Sequence, residues 1–197
     1  MRITPAHRSG RAVIDERDYP TLFGTTEVTW APIDVRFSLL TGEIDPALIA
    51  RVYIVPFIGN ACVVVGFDTN CGDWGPAGGG LEPGESFRAA LERELREEAG
   101  ARLRSYTAFG VLRCHAQGAP YRSHLPHPEY DCLYGYGDIE LVGPPEVPGG
   151  GEGIVAVQVM PPEQAVAFLD GKGRPWEADL YRLAARLRRD PSAPGSR

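Results

Sequence analysis

Residues 79–101 read Gly79-Gly-Leu-Glu-Pro-Gly-Glu-Ser-Phe-Arg-Ala-Ala-Leu-Glu-Arg-Glu-Leu-Arg-Glu-Glu-Ala-Gly-Ala101, a glycine-rich loop followed by the clearest helical pattern in the chain. The apolar residues of this pattern repeat every four positions: Phe87, Leu91 and Leu95. That period predicts one helix face packed on a core. Gly100 stands where helices commonly end on a left-handed glycine. We therefore predict a helix from Ser86 to Ala99, closed by Gly100.

Three carboxylates share one side of this predicted helix near its C-terminal end. Glu94, Glu97 and Glu98 fall within an arc of about 100° and little more than one turn. Like charges at this spacing repel by roughly 0.2–0.5 kcal/mol per pair, and the helix dipole disfavours anions in the last turn. A cation would offset both costs, and ligands that are all oxygen select a hard ion, Mg²⁺ or Mn²⁺. The pattern therefore predicts metal-assisted hydrolysis of a phosphoanhydride.

Glutamate-rich helix faces are more often solvated surface, so the wider spacing is the more specific signal. The sequence gives a glycine, five residues, a glutamate, seven residues, and then a charged run closed by a further glycine: Gly79, Glu85, Arg93-Glu94-Leu95, Glu97-Glu98 and Gly100. In these positions the chain resembles the box of the Nudix hydrolases. One position departs from the family pattern, because Ala101 stands where Ile, Leu or Val is usual. That change weakens packing under the helix end more than it threatens the chemistry.

The resemblance implies an α+β fold, an α/β/α sandwich with a mixed β-sheet and the box as loop-helix-loop. It also implies roles for the matching residues. Glu94, Glu97 and Glu98 match the metal-binding glutamates, with Glu97 and Glu98 also the candidate catalytic residues; Glu85 and Arg93 match a pair that holds the loop against the helix; Gly79 and Gly80 belong to the loop beside the substrate.

The reaction implied by the family is attack of water on a nucleoside diphosphate linked to another moiety, such as a nucleotide sugar or a nucleoside triphosphate. We therefore expect a Mg²⁺-dependent pyrophosphohydrolase, with Mn²⁺ as the alternative ion. A second hypothesis is a catalytically silent module of the same fold that binds a nucleotide or a partner. Such modules commonly lack a box glutamate, and here all are present. Homodimers are common in the family, so a homodimer is also expected.

Many family members use one more acidic residue, outside the box, as a base or an extra metal ligand. Our first candidate is Glu152, in the loop Gly149-Gly-Gly-Glu-Gly153, with Glu129, Glu140 and Asp138 as rivals. A solvated loop glutamate is an equally good interpretation of Glu152. Four tyrosines can stack a nucleobase, although tyrosine on a strand more often packs in a core: Tyr121, Tyr130, Tyr134 and Tyr136.

Outside the box, alternating apolar residues and turn signals predict a largely β chain with two further helices. A strand with alternation at 28–39 is followed by Asp45-Pro46, an N-cap and first helical residue. Two β-branched runs around Gly59-Asn60 predict a hairpin, and 68–84 is predicted to be loop. Further strands are predicted at 107–115, 131–142 and 153–160, and helices at 161–169 and around 176–187. We divide the chain into an N-terminal extension (1–48) whose strands add to the core, a Nudix domain (49–189) and a disordered tail (190–197).

The composition excludes several classes of protein. The chain has 197 residues and a formal net charge of -6, which suits one globular domain and argues against a protein that neutralises duplex nucleic acid. No apolar run approaches the roughly 18 residues of a membrane span, and no secretory leader is visible. Four cysteines without metal-site spacing indicate free thiols in a reducing compartment. We therefore expect a soluble cytoplasmic protein with a nucleotide-derived substrate.

Overall fold

The computed structural model describes residues 14–24, 32–68, 73–120, 125–146 and 153–189. Its helices are α1 (Pro20–Phe23), α2 (Phe87–Ala99), α3 (Pro162–Gly171) and α4 (Pro175–Arg189), with short 3-10 turns at Glu16–Asp18 and Pro46–Leu48. Its strands are β1 (Ile33–Leu39), β2 (Ile49–Ile58), β3 (Ala61–Asp68), β4 (Trp74–Gly75), β5 (Ala77–Gly80), β6 (Ala101–Leu103), β7 (Thr107–Ala116), β8 (Glu129–Leu141) and β9 (Gly153–Met160).

The strands form a mixed sheet in the order β1-β7-β8-β2-β3-β4. β2 and β8 run parallel, whereas the other paired strands are antiparallel. β5, β6 and β9 add to this path by pairing with β2, β8 and β3 respectively. The parallel pair needs a long crossover, and the chain supplies it with the glycine-rich loop, α2 and β7 between the two strands.

The sheet separates two apolar clusters, which makes the molecule a three-layer sandwich. On one face α2 buries Ala90, Leu91 and Leu95 against Val52 and Ile54 of β2. On the other face α1, α3 and α4 cover a second cluster that includes Phe37, Phe57 and Phe109. Successive residues of β3 alternate between the clusters, as the period of two requires. The expected α+β sandwich with a mixed sheet is confirmed.

Most of the elements expected from the sequence are present, including the helix at the box and the hairpin at Gly59-Asn60. The prediction of a continuous loop over 68–84 is wrong, because Trp74–Gly75 and Ala77–Gly80 are strands β4 and β5. Val28 and Trp30 of the first predicted strand lie outside the described residues, as does the predicted tail. Within the described ranges, no helix is both long and apolar enough to cross a membrane.

Candidate active site

Helix α2 is fixed at both ends and along one face. The Ser86 side chain accepts a hydrogen bond from the Ala89 amide at 3.2 Å, which caps the first turn. At the other end Gly100 adopts φ 59°, the left-handed conformation that glycine takes without strain. Leu91 and Leu95 are fully buried beneath the helix. The acidic side of α2 is therefore held in one orientation towards strand β5.

Arg93 joins the loop, the helix and two of the three glutamates. Its Nε donates to Glu85 Oε1 at 3.1 Å and its Nη2 to Glu85 Oε2 at 3.0 Å. Nη2 also donates to the carbonyl oxygen of Gly80 at 2.9 Å. Nη1 donates to Glu94 Oε1 at 2.9 Å and to Glu97 Oε2 at 3.3 Å. These hydrogen bonds from Arg93 are the main reason that the pKa of Glu85 lies below its usual value.

Two of the three glutamates contact the glycine segment of β5, and the third shares the Arg93 guanidinium with one of them. Glu94 lies against Gly79, where a Cβ atom would stand only 2.3 Å from its Oε1 atom. Glu98 accepts a hydrogen bond from the Gly78 amide at 2.8 Å. Glu97 shares the Arg93 Nη1 donor with Glu94. The lack of a side chain at Gly79 thus lets the backbone approach Glu94, whose carboxylate a Cβ atom would displace.

The carboxylates suit a hard divalent cation by their chemistry, although the guanidinium of Arg93 is hydrogen-bonded to two of them. Within the described ranges no three acidic, histidine or cysteine side chains already stand at chelating distances. Instead the guanidinium of Arg93 offsets the charges of Glu94 and Glu97. Burial raises the pKa of Glu94, and the charge of Arg93 opposes this shift. The all-oxygen donor set is of the kind that hard divalent cations prefer.

This finding qualifies the charge argument made from the sequence. Repulsion among the glutamates is not by itself a sign of a cation, because Arg93 lies one residue from Glu94 and four from Glu97 and relieves it. Glu94, whose side chain is 12% exposed, has the same partner, so its partial burial is not by itself a sign of a cation either. The indication that is left is the all-oxygen donor set at the spacing of the box.

An open cleft begins at Glu98 and Gly78. A cavity of about 240 Å³ is lined by these two residues. A second cavity, of about 430 Å³, adjoins it. The two share six lining residues and therefore form one continuous cleft: Arg51, Tyr53, Tyr134, Arg174, Trp176 and Glu177.

The cleft combines aromatic surface with positive charge. Tyr53 and Tyr134 stack with ring centroids 4.9 Å apart, and Trp176 meets the edge of Tyr134 at 5.4 Å. Among the described residues, the buried Nε atoms of Arg51 and Arg174 have no hydrogen-bond partner. Arg174 otherwise donates to Asp73 at 2.6 Å and to Glu177 at 2.5 Å. This arrangement can accept a planar ring beside an anionic group.

Most residues of this cleft were not selected from the sequence. Tyr134 was among the stacking candidates, but Arg51, Arg174, Trp176 and Glu177 were not. A signal did exist for Arg51, because a lone charge stands inside an apolar strand and shares a face with Tyr53 two residues on. The residues of α4 carry no such signal, since their place beside β2 depends on the tertiary fold.

Of the acidic residues proposed outside the box, the three that the structure describes are not gathered at Glu98. Glu152 lies outside the described residues. Glu129 faces His115 at 3.5 Å, Glu140 pairs with Arg104, and Asp138 accepts from Arg188 at 2.7 Å. None of these three lines the cleft. The described acidic residue on α4 that does line it is Glu177, whose side chain is 15% exposed.

A cavity of about 820 Å³, larger than either cavity of the cleft, is separate from the box. It lies between the end of α4 and the ends of β2 and β8, and it includes no glutamate of α2. Its charged residues form pairs, Arg188 with Asp138 at 2.7 Å and Arg189 with Glu163 at 2.5 Å. The cleft at Glu98 is therefore the better candidate for the catalytic site, although its cavities are smaller.

Comparisons with known proteins show which proteins this chain resembles. The family model described as NUDIX domain matches residues 48–184, which include the box and every residue shared by the two cavities. The nucleoside triphosphatase NudI of Enterobacter sp. (strain 638) is 36% identical over 76 residues, 34% of this chain and 53% of that protein. The same enzyme of Salmonella paratyphi B is 56% identical over 75 residues, 34% of this chain and 53% of that protein. The chain thus spans about half the length of the curated relatives it matches.

Two solved structures have similar backbones at low sequence identity. A Bacillus subtilis pyrophosphohydrolase aligns with a TM-score of 0.49 and 17% identity, over 64% of this chain and 72% of its own. A protein described as an ADP compounds hydrolase aligns with a TM-score of 0.47 and 16% identity, over 81% of this chain and 89% of its own.

Proposed function

The chain belongs to the Nudix family, and on that premise we propose that it is a metal-dependent hydrolase of nucleotide phosphoanhydride bonds. Glu94, Glu97 and Glu98 would hold the ion, Mg²⁺ before Mn²⁺. When bound, such an ion supplies positive charge to the phosphoryl oxygens and acidifies the attacking water. The single observation that carries this proposal is the position of Glu98, which borders both the carboxylate cluster and an arginine-bearing cleft.

The residues of the chain itself have separate tasks in this proposal. Arg93 and Glu85 keep the loop of Gly80 fixed against α2, so the glutamates keep their spacing. Arg51 and Arg174 line the cleft, and their positive charge would attract the phosphates. The rings of Tyr134 and Trp176 offer the apolar surface on which a nucleobase can lie. Together these groups orient a phosphate chain towards Glu98.

We propose nucleoside triphosphates as the first substrates to test, ahead of nucleotide sugars and other nucleoside diphosphate derivatives. The curated relatives named above are nucleoside triphosphatases, and they match this chain through part of their length. The larger of the two cavities that make up the cleft, about 430 Å³, falls in the range of small-molecule sites and suits one nucleoside better than two.

Glu98→Gln provides the decisive comparison, with Glu92→Gln as its matched control. Both residues lie on α2, but Glu92 is 44% exposed and pairs only with Arg88 on the surface, among the contacts described. Phosphate and nucleotide release would be measured with Mg²⁺ and with Mn²⁺ over nucleoside triphosphates, ADP-ribose, nucleotide sugars, dinucleoside polyphosphates and coenzyme A. We expect turnover of at least one compound that Glu98→Gln lowers by about 100-fold or more and Glu92→Gln leaves unchanged.

An absence of turnover can also be interpreted, because the folding of each protein is measured in parallel with its activity. Thermal unfolding of both variants, with and without Mg²⁺, reports whether the fold and the ion site survive. A folded wild-type protein that is stabilised by Mg²⁺ but hydrolyses nothing in the panel would overturn the hydrolase in favour of the binding module. Equal turnover in the wild type and in Glu98→Gln would show that Glu98 takes no part in the reaction.

Several narrower predictions belong to the same proposal. Glu152 stays our first candidate for the acid outside the box, and Glu177 joins it because it lines the cleft. We expect both Glu152→Gln and Glu177→Gln to retain nucleotide binding. The acid that takes part in the reaction is identified as the one whose replacement lowers kcat. A homodimer and a cytoplasmic location also stay predictions.

A further inference from the structure

The part of the cleft that lies away from Glu98 is apolar, and we call it the far chamber. It is the part of the cavity of about 430 Å³ whose lining residues do not border the smaller cavity. Among the described residues, the side chains that line only this part carry no charge and no amide group: Ile33, Val35, Leu112, Cys114, Tyr130 and Cys132. A polar ligand group that enters the far chamber therefore loses hydrogen bonds with water and finds few in exchange.

The floor of the far chamber is one face of the sheet, and its polarity changes from strand to strand. Arg51 of β2 pairs in register with Cys132 of β8. Cys132 pairs in turn with Leu112 of β7, which pairs with Phe37 of β1. Paired residues of neighbouring strands lie on the same face of a sheet. This row begins with a positive charge and continues in apolar side chains, so the cleft has a polar end at β2 and an apolar end towards β1.

The N-terminal extension forms the outer boundary of the far chamber. Ile33 and Val35 lie on β1, which pairs along its full length with β7, and both line the cavity. The ring of Phe37, also on β1, meets the ring of Trp176 on α4 with their centroids 6.0 Å apart. The extension therefore contributes side chains to the chamber and contacts the helix that borders it.

We propose that the far chamber is a specificity subsite, in which apolar side chains of β1 and β7 receive an apolar edge of the nucleobase. This proposal rests on the function proposed above, in which the phosphates lie at the Arg51 end of the cleft. Among pyrimidine nucleotides, thymine carries a methyl group on one ring edge and uracil is the same ring without it. Burial of one methyl group among apolar side chains favours binding by about fourfold or more. The subsite thus selects thymine nucleotides over uracil nucleotides.

A base with an exocyclic amino group suits the far chamber less well. The side chains that line only this chamber, among those described, offer neither a carboxylate nor an amide carbonyl as an acceptor. An amino group placed there would lose its hydrogen bonds with water without replacement. We therefore expect cytosine nucleotides to rank below thymine nucleotides as well.

The test compares ligands that differ by one methyl group, so that phosphates, sugar and protein stay the same. Binding of thymidine monophosphate (dTMP) and deoxyuridine monophosphate (dUMP) to the full chain is measured by titration calorimetry without a divalent ion. We expect dTMP to bind at least about fourfold more tightly than dUMP. With Mg²⁺ present, kcat/KM for dTTP should exceed kcat/KM for dUTP by at least the same factor.

Val35→Thr tests whether the extension is responsible for this preference. The exchange replaces one methyl group in the chamber by a hydroxyl group of similar size, and it should reduce the preference for dTMP at least about twofold. Val159→Thr is the matched control, because it makes the same exchange on β9, where the side chain is 47% exposed and lines neither cavity of the cleft. The control should keep the full preference. Thermal unfolding of both variants shows whether the fold is retained.

Each outcome separates the subsite from the hydrolase. Equal binding of dTMP and dUMP, a preference for dUMP, or no measurable binding of either would overturn the subsite, whether or not triphosphates are hydrolysed. A preference that a folded Val35→Thr keeps in full would overturn the role of β1. If no triphosphate is hydrolysed but dTMP still binds more tightly than dUMP, the hydrolase fails and the subsite stands.

Discussion

At the scale of single residues, Gly79 shows how little room the acidic cluster has. A Cβ atom at this position would stand 2.3 Å from Oε1 and 2.7 Å from the carboxyl carbon of Glu94. Glu94 cannot easily move away, because Arg93 holds it and its side chain is buried. We therefore expect Gly79→Ala to lower metal-dependent turnover by at least about tenfold and to reduce the rise in melting temperature that Mg²⁺ produces.

Gly80→Ala is the matched control for this prediction. A Cβ atom at Gly80 would meet nothing within 4 Å, although the residue is the immediate neighbour of Gly79 in strand β5. Turnover and the Mg²⁺ response of Gly80→Ala should therefore stay close to those of the wild type. Equal loss in both variants would mean that strand β5 itself, and not the contact with Glu94, limits activity.

The box was visible in the sequence because its chemistry is local. Residues 81–100 form one loop and one helix, so spacing alone puts Glu85 near Arg93 and the glutamates on one side. Arg51 and Trp176 could not be placed in this way, since they reach the cleft from β2 and from α4. Their proximity depends on how distant segments pack, which no local period records.

At the scale of elements, the end of α2 carries a strict backbone requirement. Gly100 has φ 59°, and a Cβ atom there would stand 2.1 Å from the carbonyl oxygen of Gly143. Gly100→Ala therefore adds both left-handed strain and a collision with the backbone. We expect it to lower the free energy of unfolding by at least about 2 kcal/mol, measured by urea denaturation.

Gly143→Ala is the control, because a Cβ atom at Gly143 would meet nothing within 4 Å and the residue is exposed. Its free energy of unfolding should differ from that of the wild type by no more than about 0.5 kcal/mol. If Gly100→Ala were as stable as this control, the C-terminal cap would not be a determinant of α2.

Strand β5 illustrates why one element was missed. Ala77–Gly80 has no alternating apolar side chains, and a run of glycines normally predicts a loop. It nevertheless pairs with Arg51–Ile54 of β2, because ladder hydrogen bonds come from the backbone and need no side-chain pattern. The same absence of a side chain at Gly79 admits Glu94, so the feature that hid the strand also makes room for one of the three glutamates.

At the scale of the whole molecule, the N-terminal segment is joined to the core at several points. β1 pairs along its full length with β7. Asp179 of α4 accepts hydrogen bonds from the Thr21 amide at 2.9 Å and the Leu22 amide at 3.3 Å. Phe37 meets Tyr134 at 5.9 Å and Trp176 at 6.0 Å, and these two rings line the cleft. The extension thus supports the wall on which we propose that a nucleobase lies.

Removal of residues 1–48 should therefore destabilise the rest of the chain. The shortened chain would expose the edge of β7 and the apolar surface that Leu22 and Phe37 cover, which favours association between strand edges. We expect it to melt at least about 10 °C lower than the full chain and to form aggregates in size-exclusion chromatography. Removal of residues 1–13 keeps every contact named above and should change neither property. A monomeric 49–197 fragment with the stability of the full chain would instead make the Nudix domain independent of its extension.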